Sequence, residues 1–190
     1  MQWMKGAEQF TDALASSQPT PGGGAAGAMA GAMGCALLMM AISTTLKRKN
    51  TPAQNRPVLE QALAQLEKLH TQLKTFILQD ARSYEGYLAA AKLPKEDPTR
   101  PQALQETLWQ AACVPADTAA VCQAVLQVAA QAATQVDPII ISDVKCAQHL
   151  LVSALACCAE NIRANAAYIT QPKRAEKLQK LLERLAEKTL

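Results

Sequence analysis

A loop rich in proline and glycine, followed by a long apolar run, constrains the fold of this chain more than any other feature. The loop reads PTPGGG over residues 19–24, and the 18 residues from Ala25 to Ile42 are all apolar or glycine. Two prolines fix φ in the loop, and three glycines can take backbone conformations closed to other residues. The glycines of the run recur at helical spacing: Gly27, Gly31 and Gly34. A helix with so small a face belongs in the middle of a bundle or against its own copy in a dimer.

Three interpretations compete for this stretch. A transmembrane helix fits its length and its Gly-xxx-Gly spacing, but alanine and glycine gain little on transfer to lipid. A phosphate-binding loop would use the free N–H groups at the helix start, but no Lys-Ser or Lys-Thr follows the glycines, as the Walker pattern requires. We adopt the third interpretation, a buried central helix entered through a glycine loop.

The composition indicates a helical protein with a single core. At 190 residues the chain is long enough for one well-buried core and short for two. It is 49% hydrophobic but only 4% aromatic, which favours helices over strands. A net charge of +3, with no basic stripe interleaved with aromatic residues, argues against nucleic acid as a partner.

The cysteines and histidines predict neither disulfides nor a metal site. None of the six cysteines forms a Cys-x-x-Cys motif, and each lies in an apolar helical context. We therefore expect reduced core thiols and a cytoplasmic protein. The two histidines stand alone, without a second ligand at metal spacing. The N-terminus mixes acidic and basic residues before the apolar run, unlike a secretory signal.

Apolar periodicity and proline breaks predict an all-α fold, an antiparallel up-and-down bundle of five to seven helices. Helices are expected over about 1–17, 25–42, 57–91 and 142–169. Between the last two, Pro115 is expected to separate a helix that starts after Thr99 from another that ends before Asp137. Residues 1–190 form one domain in this prediction, and 171–190 form its peripheral, more charged C-terminal helix.

Two aspartates fall on apolar stripes and are candidate catalytic residues. Asp80 lies four residues after Phe76 and four before Tyr84, on the stripe of the predicted 57–91 helix. A carboxylate on a buried face costs several kcal/mol unless it is paired or protonated, so Asp80 either bonds to a neighbouring helix or has a function. Asp143 extends the stripe of the 142–169 helix backward, where it could instead be an N-cap.

A basic cluster, Lys47-Arg48-Lys49, ends the glycine helix. Cations suit a helix C-terminus, so the cluster could be a solvated helix end. It could also bind an anionic ligand, and the residue types alone leave both roles open.

Three segments together resemble the cyclodeaminase/cyclohydrolase family of folate enzymes. Ser17–Gly24 with the small-residue helix resembles the family's opening motif. The segment 80–95, which reads DARSYEGYLAAAKLPK, resembles its Asp-containing helix that ends in Leu-Pro-Lys. Residues 141–144 with 160–165, which read ISDV and ENIRAN, resemble its later Ser-Asp and Asn-x-x-x-Asn helix. Order and spacing match over roughly residues 8–170.

The chain also departs from the family pattern. Ala25 stands where the family usually has serine, Lys47 where it tends to have glycine, and Lys145 where a glycine is common. A Gly-Asn turn before Ser-Asp is replaced by VDPIII over residues 136–141, and the loop after Leu93-Pro94 is shorter than usual. These changes bear on substrate orientation more than on the fold.

The resemblance implies an all-helical homodimer with a folate site at or near the subunit interface. The family either hydrolyses 5,10-methenyltetrahydrofolate to 10-formyltetrahydrofolate or closes 5-formiminotetrahydrofolate to the methenyl compound with loss of ammonia. Both reactions pass through a tetrahedral carbon between N5 and N10, and a carboxylate in an apolar groove suits the proton transfers. No cofactor is implied besides the tetrahydrofolate substrate, which could carry a polyglutamate tail.

The roles expected for individual residues follow from stripe position and resemblance together. Asp80 is expected to be the general acid/base, with Asp143 as a second carboxylate that orients substrate or water. The expected substrate-binding residues are Gly22, Gly23, Gly24, Lys47, Lys49 and Asn161. Lys47, Arg48 and Lys49 would reach the glutamate tail, helped by the N–H groups of the glycine loop. The small face of the glycine helix is expected to form the dimer interface.

Two other functions remain open at the level of sequence. A non-catalytic helical dimer could keep the fold and perhaps folate binding, because Ala25 and the replaced turn at 136–141 depart from the family. A membrane-associated helical protein would rest only on the run from Ala25 to Ile42.

Overall fold

The computed structural model describes residues 2–189, which form six α-helices and two short 3₁₀ turns and contain no strand. The helices are α1 (Gln2–Ala15), α2 (Gly23–Lys47), α3 (Arg56–Ala91), α4 (Arg100–Ala132), α5 (Ile141–Ala166) and α6 (Pro172–Thr189). The 3₁₀ turns are Ala53–Asn55 and Pro138–Ile140. The predicted all-α fold and its number of helices are confirmed.

Helices α2 to α5 pack as an up-and-down four-helix bundle in which each helix runs antiparallel to its neighbours. The start of α2 lies against the ends of α3 and α5, since Gly24 contacts Asp80 and Gly23 contacts Asn161. Further along α2, Gly34 lies against Ala147 near the start of α5. Short loops join consecutive helices, and this is the arrangement expected for an antiparallel bundle.

The interpretation of α2 as a buried central helix is confirmed. A Cβ added at Gly27 would lie 2.9 Å from the Cys157 Cβ, and one at Gly31 would lie 2.7 Å from the Cys122 Sγ. The glycines therefore allow α3, α4 and α5 of the same chain to approach α2 closely. The expectation that this face forms the dimer interface is wrong, because the bundle interior already covers it.

The helix break expected at Pro115 is also wrong. Helix α4 continues from Arg100 to Ala132 with Pro115 buried inside it. A proline within a helix lacks the N–H that would bond to the carbonyl four residues earlier. That carbonyl belongs to Ala111, and it accepts instead a hydrogen bond from the Asn165 side chain, at 3.2 Å. The partner supplied by α5 helps α4 to pass through the proline.

The two terminal helices differ in their packing. None of the described residues of α1 is buried, and its Trp3 side chain is 68% exposed. Helix α6 packs mainly on α5, and it buries Leu178, Leu182 and Leu185. The expected C-terminal helix therefore exists, although Leu190 lies outside the described residues.

Three segments are long and apolar enough, by length and composition, to cross a membrane: Gly23–Lys47, Arg100–Ala132 and Pro138–Ala166. The most apolar window of the first is 56% buried inside the protein. The outward positions of α4 include Gln110, Asp117 and Gln127, so this helix presents a partly polar surface.

Candidate active site

A polar cavity of about 200 Å³ lies where the proline-glycine loop meets the end of α5 and the last third of α3. We call it the Asp80 cavity. Its polar lining includes the backbone of Gly22–Gly24 and the side chains of Asp80, Ser83, Tyr84, Asn161 and Asn165. The loop enters α2 through a cis peptide bond between Thr20 and Pro21.

The Asp80 carboxylate lies directly against the first turn of α2. Its Oδ2 accepts a hydrogen bond of 2.8 Å from the Ala25 N–H, one of the helix-start N–H groups that have no partner within the helix. Its Oδ1 lies only 2.0 Å from the position that a Cβ on Gly24 would occupy. The bond from Asp80 to a neighbouring helix, one of the two alternatives that the sequence left open, therefore exists, and it holds the carboxylate at the positive end of α2.

The glycines of the loop are required for space and not for special backbone angles. None of the glycines among residues 2–189 has positive φ, contrary to the role expected from the sequence. A Cβ on Gly24 would overlap the Asp80 carboxylate, and one on Gly23 would lie 3.3 Å from the Asn161 Nδ2. Two successive residues without side chains let a carboxylate and an amide reach the start of the same helix.

Burial raises the pKa of Asp80 above its ordinary value, and the hydrogen bond from the Ala25 N–H opposes part of that rise. Desolvation disfavours the charged carboxylate, whereas a donated hydrogen bond stabilises it. A carboxyl group with a raised pKa holds a proton more readily, which suits a group that must both accept and donate one.

Two asparagines form the α5 side of the cavity. The Asn161 Nδ2 donates to the Cys157 carbonyl at 2.8 Å. The Asn165 Nδ2 donates to the carbonyls of Asn161, at 3.0 Å, and Ala111, at 3.2 Å. Asn161 was among the expected binding residues, and Asn165 was not, although its position one helical turn later could have indicated it. Ser83 and Tyr84 were also missed as site residues; Tyr84 follows Asp80 by one turn of α3.

The other expected site residues lie at the opposite end of the bundle. Lys47 is at the far end of α2 from Gly23, about 36 Å away at 1.5 Å per residue. Asp143 is in the first turn of α5, about 27 Å along that helix from Asn161. Within one chain, Lys47, Lys49 and Asp143 cannot reach the Asp80 cavity. Their roles in binding and catalysis stay predictions.

Of the basic cluster Lys47-Arg48-Lys49, only the two lysines point into solvent. Arg48 forms an ion pair with Asp137, 3.2 Å between Nη1 and Oδ2, whereas Lys47 and Lys49 are exposed. The Asp137 Oδ1 accepts from the Ile139 N–H at 2.9 Å. Arg48 thus has a structural role in holding the end of α2 to the turn before α5.

The cysteines are all free, but they are not all core residues. Cys35, Cys122 and Cys158 are buried, Cys113 and Cys157 are half-buried, and Cys146 is exposed. Burial raises the pKa of Cys35 and of Cys122 to about 12, so these two stay protonated and unreactive. In residues 2–189, no three His, Cys, Asp or Glu side chains are placed to hold a metal ion.

The fold and the cavity define a class of protein: a helical bundle that holds a candidate acid/base carboxylate at the start of a glycine-rich helix. The sequence profile of the formiminotransferase-cyclodeaminase family matches residues 6–184. The chain therefore belongs to this family.

Individual relatives agree with that assignment. The chain is 35% identical over 182 residues to methenyltetrahydrofolate cyclohydrolase from Methylorubrum extorquens, covering 94% of this chain and 87% of that protein. It is 34% identical over 110 residues to formimidoyltransferase-cyclodeaminase from Sus scrofa, covering 56% of this chain and 20% of that longer protein. The crystal structure of formiminotetrahydrofolate cyclodeaminase from Thermotoga maritima matches with a TM-score of 0.86 at 26% identity, covering 96% of this chain and 88% of that one.

Proposed function

We propose that this protein is a folate one-carbon enzyme that hydrolyses 5,10-methenyltetrahydrofolate to 10-formyltetrahydrofolate. The observation that carries the proposal is the Asp80 carboxylate, held against the first turn of α2 in a polar cavity. The M. extorquens relative, whose name states this reaction, aligns over most of its own length and most of this chain. The reaction needs no cofactor besides the folate substrate.

The mechanism assigns both proton transfers to Asp80. Water attacks the cationic carbon between N5 and N10, and the ionised Asp80 takes a proton from that water. A tetrahedral intermediate with a hydroxyl group forms. Protonated Asp80 then donates to N5 as the bond from N5 to the carbon breaks, while the hydroxyl proton leaves to solvent. The products are 10-formyltetrahydrofolate and one released proton, so charge and atoms balance.

Cyclising deamination of 5-formiminotetrahydrofolate is the second candidate reaction, because the matched T. maritima structure is titled as that enzyme. N10 would attack the formimino carbon, and the proton that N10 loses would pass through Asp80 to the departing ammonia. The same carboxylate serves both reactions, since both form a tetrahedral carbon bonded to N5 and N10.

We further propose a homodimer in which α2 of one subunit runs antiparallel to α2 of its partner. A two-fold axis near the middle of α2 would bring one subunit's Lys47 end to the Gly23 end of the other. Since α5 is antiparallel to α2, Asp143 of the partner subunit would arrive at the same place. The residues that one chain separates by about 36 Å would then meet, and the lysines could reach the glutamate tail.

The outward side of α2 offers a surface for this contact. With α3 it forms an apolar groove of about 420 Å³, which includes Met33 and Leu78. These two side chains are 53% and 61% exposed. Exposed apolar patches on a helix pair are typical of a protein interface.

We place the protein in the cytoplasm, where buried free thiols such as Cys35 stay reduced.

Turnover of the two folates separates this proposal from a non-catalytic bundle. Purified protein is mixed with methenyltetrahydrofolate, and separately with formiminotetrahydrofolate, and the methenyl absorbance is followed against enzyme-free buffer. Loss of absorbance faster than in buffer identifies the hydrolase, and a rise with the formimino compound identifies the deaminase. No enzyme-dependent change with either substrate would contradict the proposed function.

A further inference from the structure

The side-chain amide of Asn165 presents only its oxygen as a free hydrogen-bonding group, whereas that of Asn161 presents its oxygen and one N–H. The amide nitrogen of Asn161 is bonded to the Cys157 carbonyl, and that of Asn165 is bonded to two carbonyls. Neither oxygen has a hydrogen-bond partner among residues 2–189. Because both side chains line the Asp80 cavity, this wall of the cavity accepts hydrogen bonds from a ligand.

Pro115 contributes to this arrangement from inside α4. An ordinary residue at position 115 would donate its N–H to the Ala111 carbonyl, and the Asn165 amide would then have to share that acceptor with it. Proline has no such donor, and the carbonyl is left for the Asn165 amide, 3.2 Å away. With the amide nitrogen held there, the Asn165 side-chain oxygen stays available to a ligand in the cavity.

The cavity is too small for a whole folate, so its chemistry selects one part of the molecule. At about 200 Å³ it is below the usual range for sites that enclose a drug-sized ligand. Among the described residues of one chain, its lining includes no Lys or Arg. The Asp80 carboxylate already occupies the positive start of α2, and it would repel the carboxylates of a glutamate tail. A reduced pterin ring instead carries several N–H donors along one edge.

We infer that Asn161 and Asn165 bind the N–H edge of the pterin ring through their carbonyl oxygens, and that Pro115 is a positioning residue for Asn165. The inference rests on the proposed function, because it assumes a folate substrate. It sets the direction of that substrate: the pterin enters the Asp80 cavity, and the glutamate tail points out of it. The glycine N–H groups of the loop then face the ring and not the tail, contrary to the role expected from the sequence.

Two fragments of the substrate test this orientation by calorimetry on the full-length protein: tetrahydropterin and p-aminobenzoylglutamate. Asn165→Leu removes one acceptor and should weaken tetrahydropterin binding about tenfold, the usual worth of one hydrogen bond. Pro115→Ala should raise the free energy of unfolding and yet weaken tetrahydropterin binding, a combination that a purely structural proline would not give. Neither variant should change the affinity for p-aminobenzoylglutamate.

Gln105→Leu is the matched control, because Gln105 also donates its amide to a backbone carbonyl, that of Tyr168, but lies outside the Asp80 cavity. It should leave tetrahydropterin binding unchanged. The inference is overturned if the folded variants Asn165→Leu and Pro115→Ala bind tetrahydropterin as tightly as the wild type does, or if the wild type does not bind tetrahydropterin. It is also overturned if the variants lose affinity for p-aminobenzoylglutamate instead. Wild-type turnover of methenyltetrahydrofolate in any of these cases would leave the proposed function standing. If tetrahydropterin binding depends on Asn165 but neither folate is turned over, the inferred binding mode stands and the proposed enzymatic activity fails.

Discussion

Alanine substitutions at the three loop glycines should damage activity in order of the space that each site offers. An added Cβ would lie 3.8 Å from its nearest neighbour at Gly22, 3.3 Å at Gly23 and 2.0 Å at Gly24. The first is an ordinary contact, the second presses on the Asn161 amide, and the third overlaps the Asp80 carboxylate. Gly22→Ala is the matched control, since its φ of −121° and ψ of −160° are open to alanine.

The magnitude for Gly24→Ala follows from the contact that it breaks. Cβ atoms essentially never approach closer than 3.0 Å, so the carboxylate must move by about 1 Å or more and lose its bond to the Ala25 N–H. A hydrogen bond to a charged group stabilises the folded protein by about 1.5–3 kcal/mol. Replacing glycine by alanine in a helix stabilises it by about 0.4–1 kcal/mol, which offsets part of that loss. We expect a net destabilisation of about 1–2 kcal/mol with a fall in kcat of about 10²–10⁴.

The assay follows methenyl absorbance for kcat and KM, with urea denaturation for the free energy of unfolding. Gly23→Ala should mainly raise KM, because the displaced group is the Asn161 amide and not the acid/base. Loss of the Ala25 hydrogen bond should also move the pH profile of any residual Gly24→Ala activity upward. Near-normal kcat in Gly24→Ala, or equal damage from Gly22→Ala, would refute the reasoning.

Three further predictions concern the dimer, the glutamate tail and stability. Met33→Lys should dissociate the dimer in sedimentation, whereas Val152→Lys, a lysine placed at an exposed residue of α5 outside the groove, should not. Dimers in both variants would exclude the α2 interface. Replacing Lys47 and Lys49 by alanine should raise KM more for polyglutamylated than for monoglutamate substrate, and more at low salt; equal effects would leave them as a solvated helix end. Because the folded-state pKa of Asp80 is raised, its contribution to stability is complete below its ordinary pKa of 3.8 and is lost as pH rises through the raised value. Urea titrations should therefore find Asp80→Asn more stable, relative to wild type, at pH 7 than at pH 3.5, and an opposite trend would contradict the shift.

Much of the fold could be predicted because periodicity and small-residue spacing report burial directly. The central position of α2 and the place of Asp80 on the α3 stripe both follow from spacing along one helix. The contact between Asp80 and Ala25 could not be derived this way, since it joins residues 55 positions apart. The contact depends on the axial offset between α3 and α2, and that offset is set by the packing of the whole helices.

The errors have identifiable physical causes. Pro115 indicated a helix break because proline normally leaves a carbonyl unsatisfied, but Asn165 satisfies it from a distant helix. The glycine face of α2 indicated a dimer contact because close packing looks the same within a chain and between chains. Lys47 and Gly23 were expected in one binding site, but a single helix of 25 residues separates them by about 36 Å.

The most direct test of this account is the turnover number of Asp80→Asn. Asparagine is nearly the same size and can still accept the Ala25 hydrogen bond, but it cannot exchange a proton in this pH range. The folded variant should lose about 10²–10⁴ in kcat with methenyltetrahydrofolate and with formiminotetrahydrofolate, the usual worth of general acid–base catalysis. An Asp80→Asn variant with near-normal kcat on the substrate that the wild type turns over would contradict the central role given to this carboxylate.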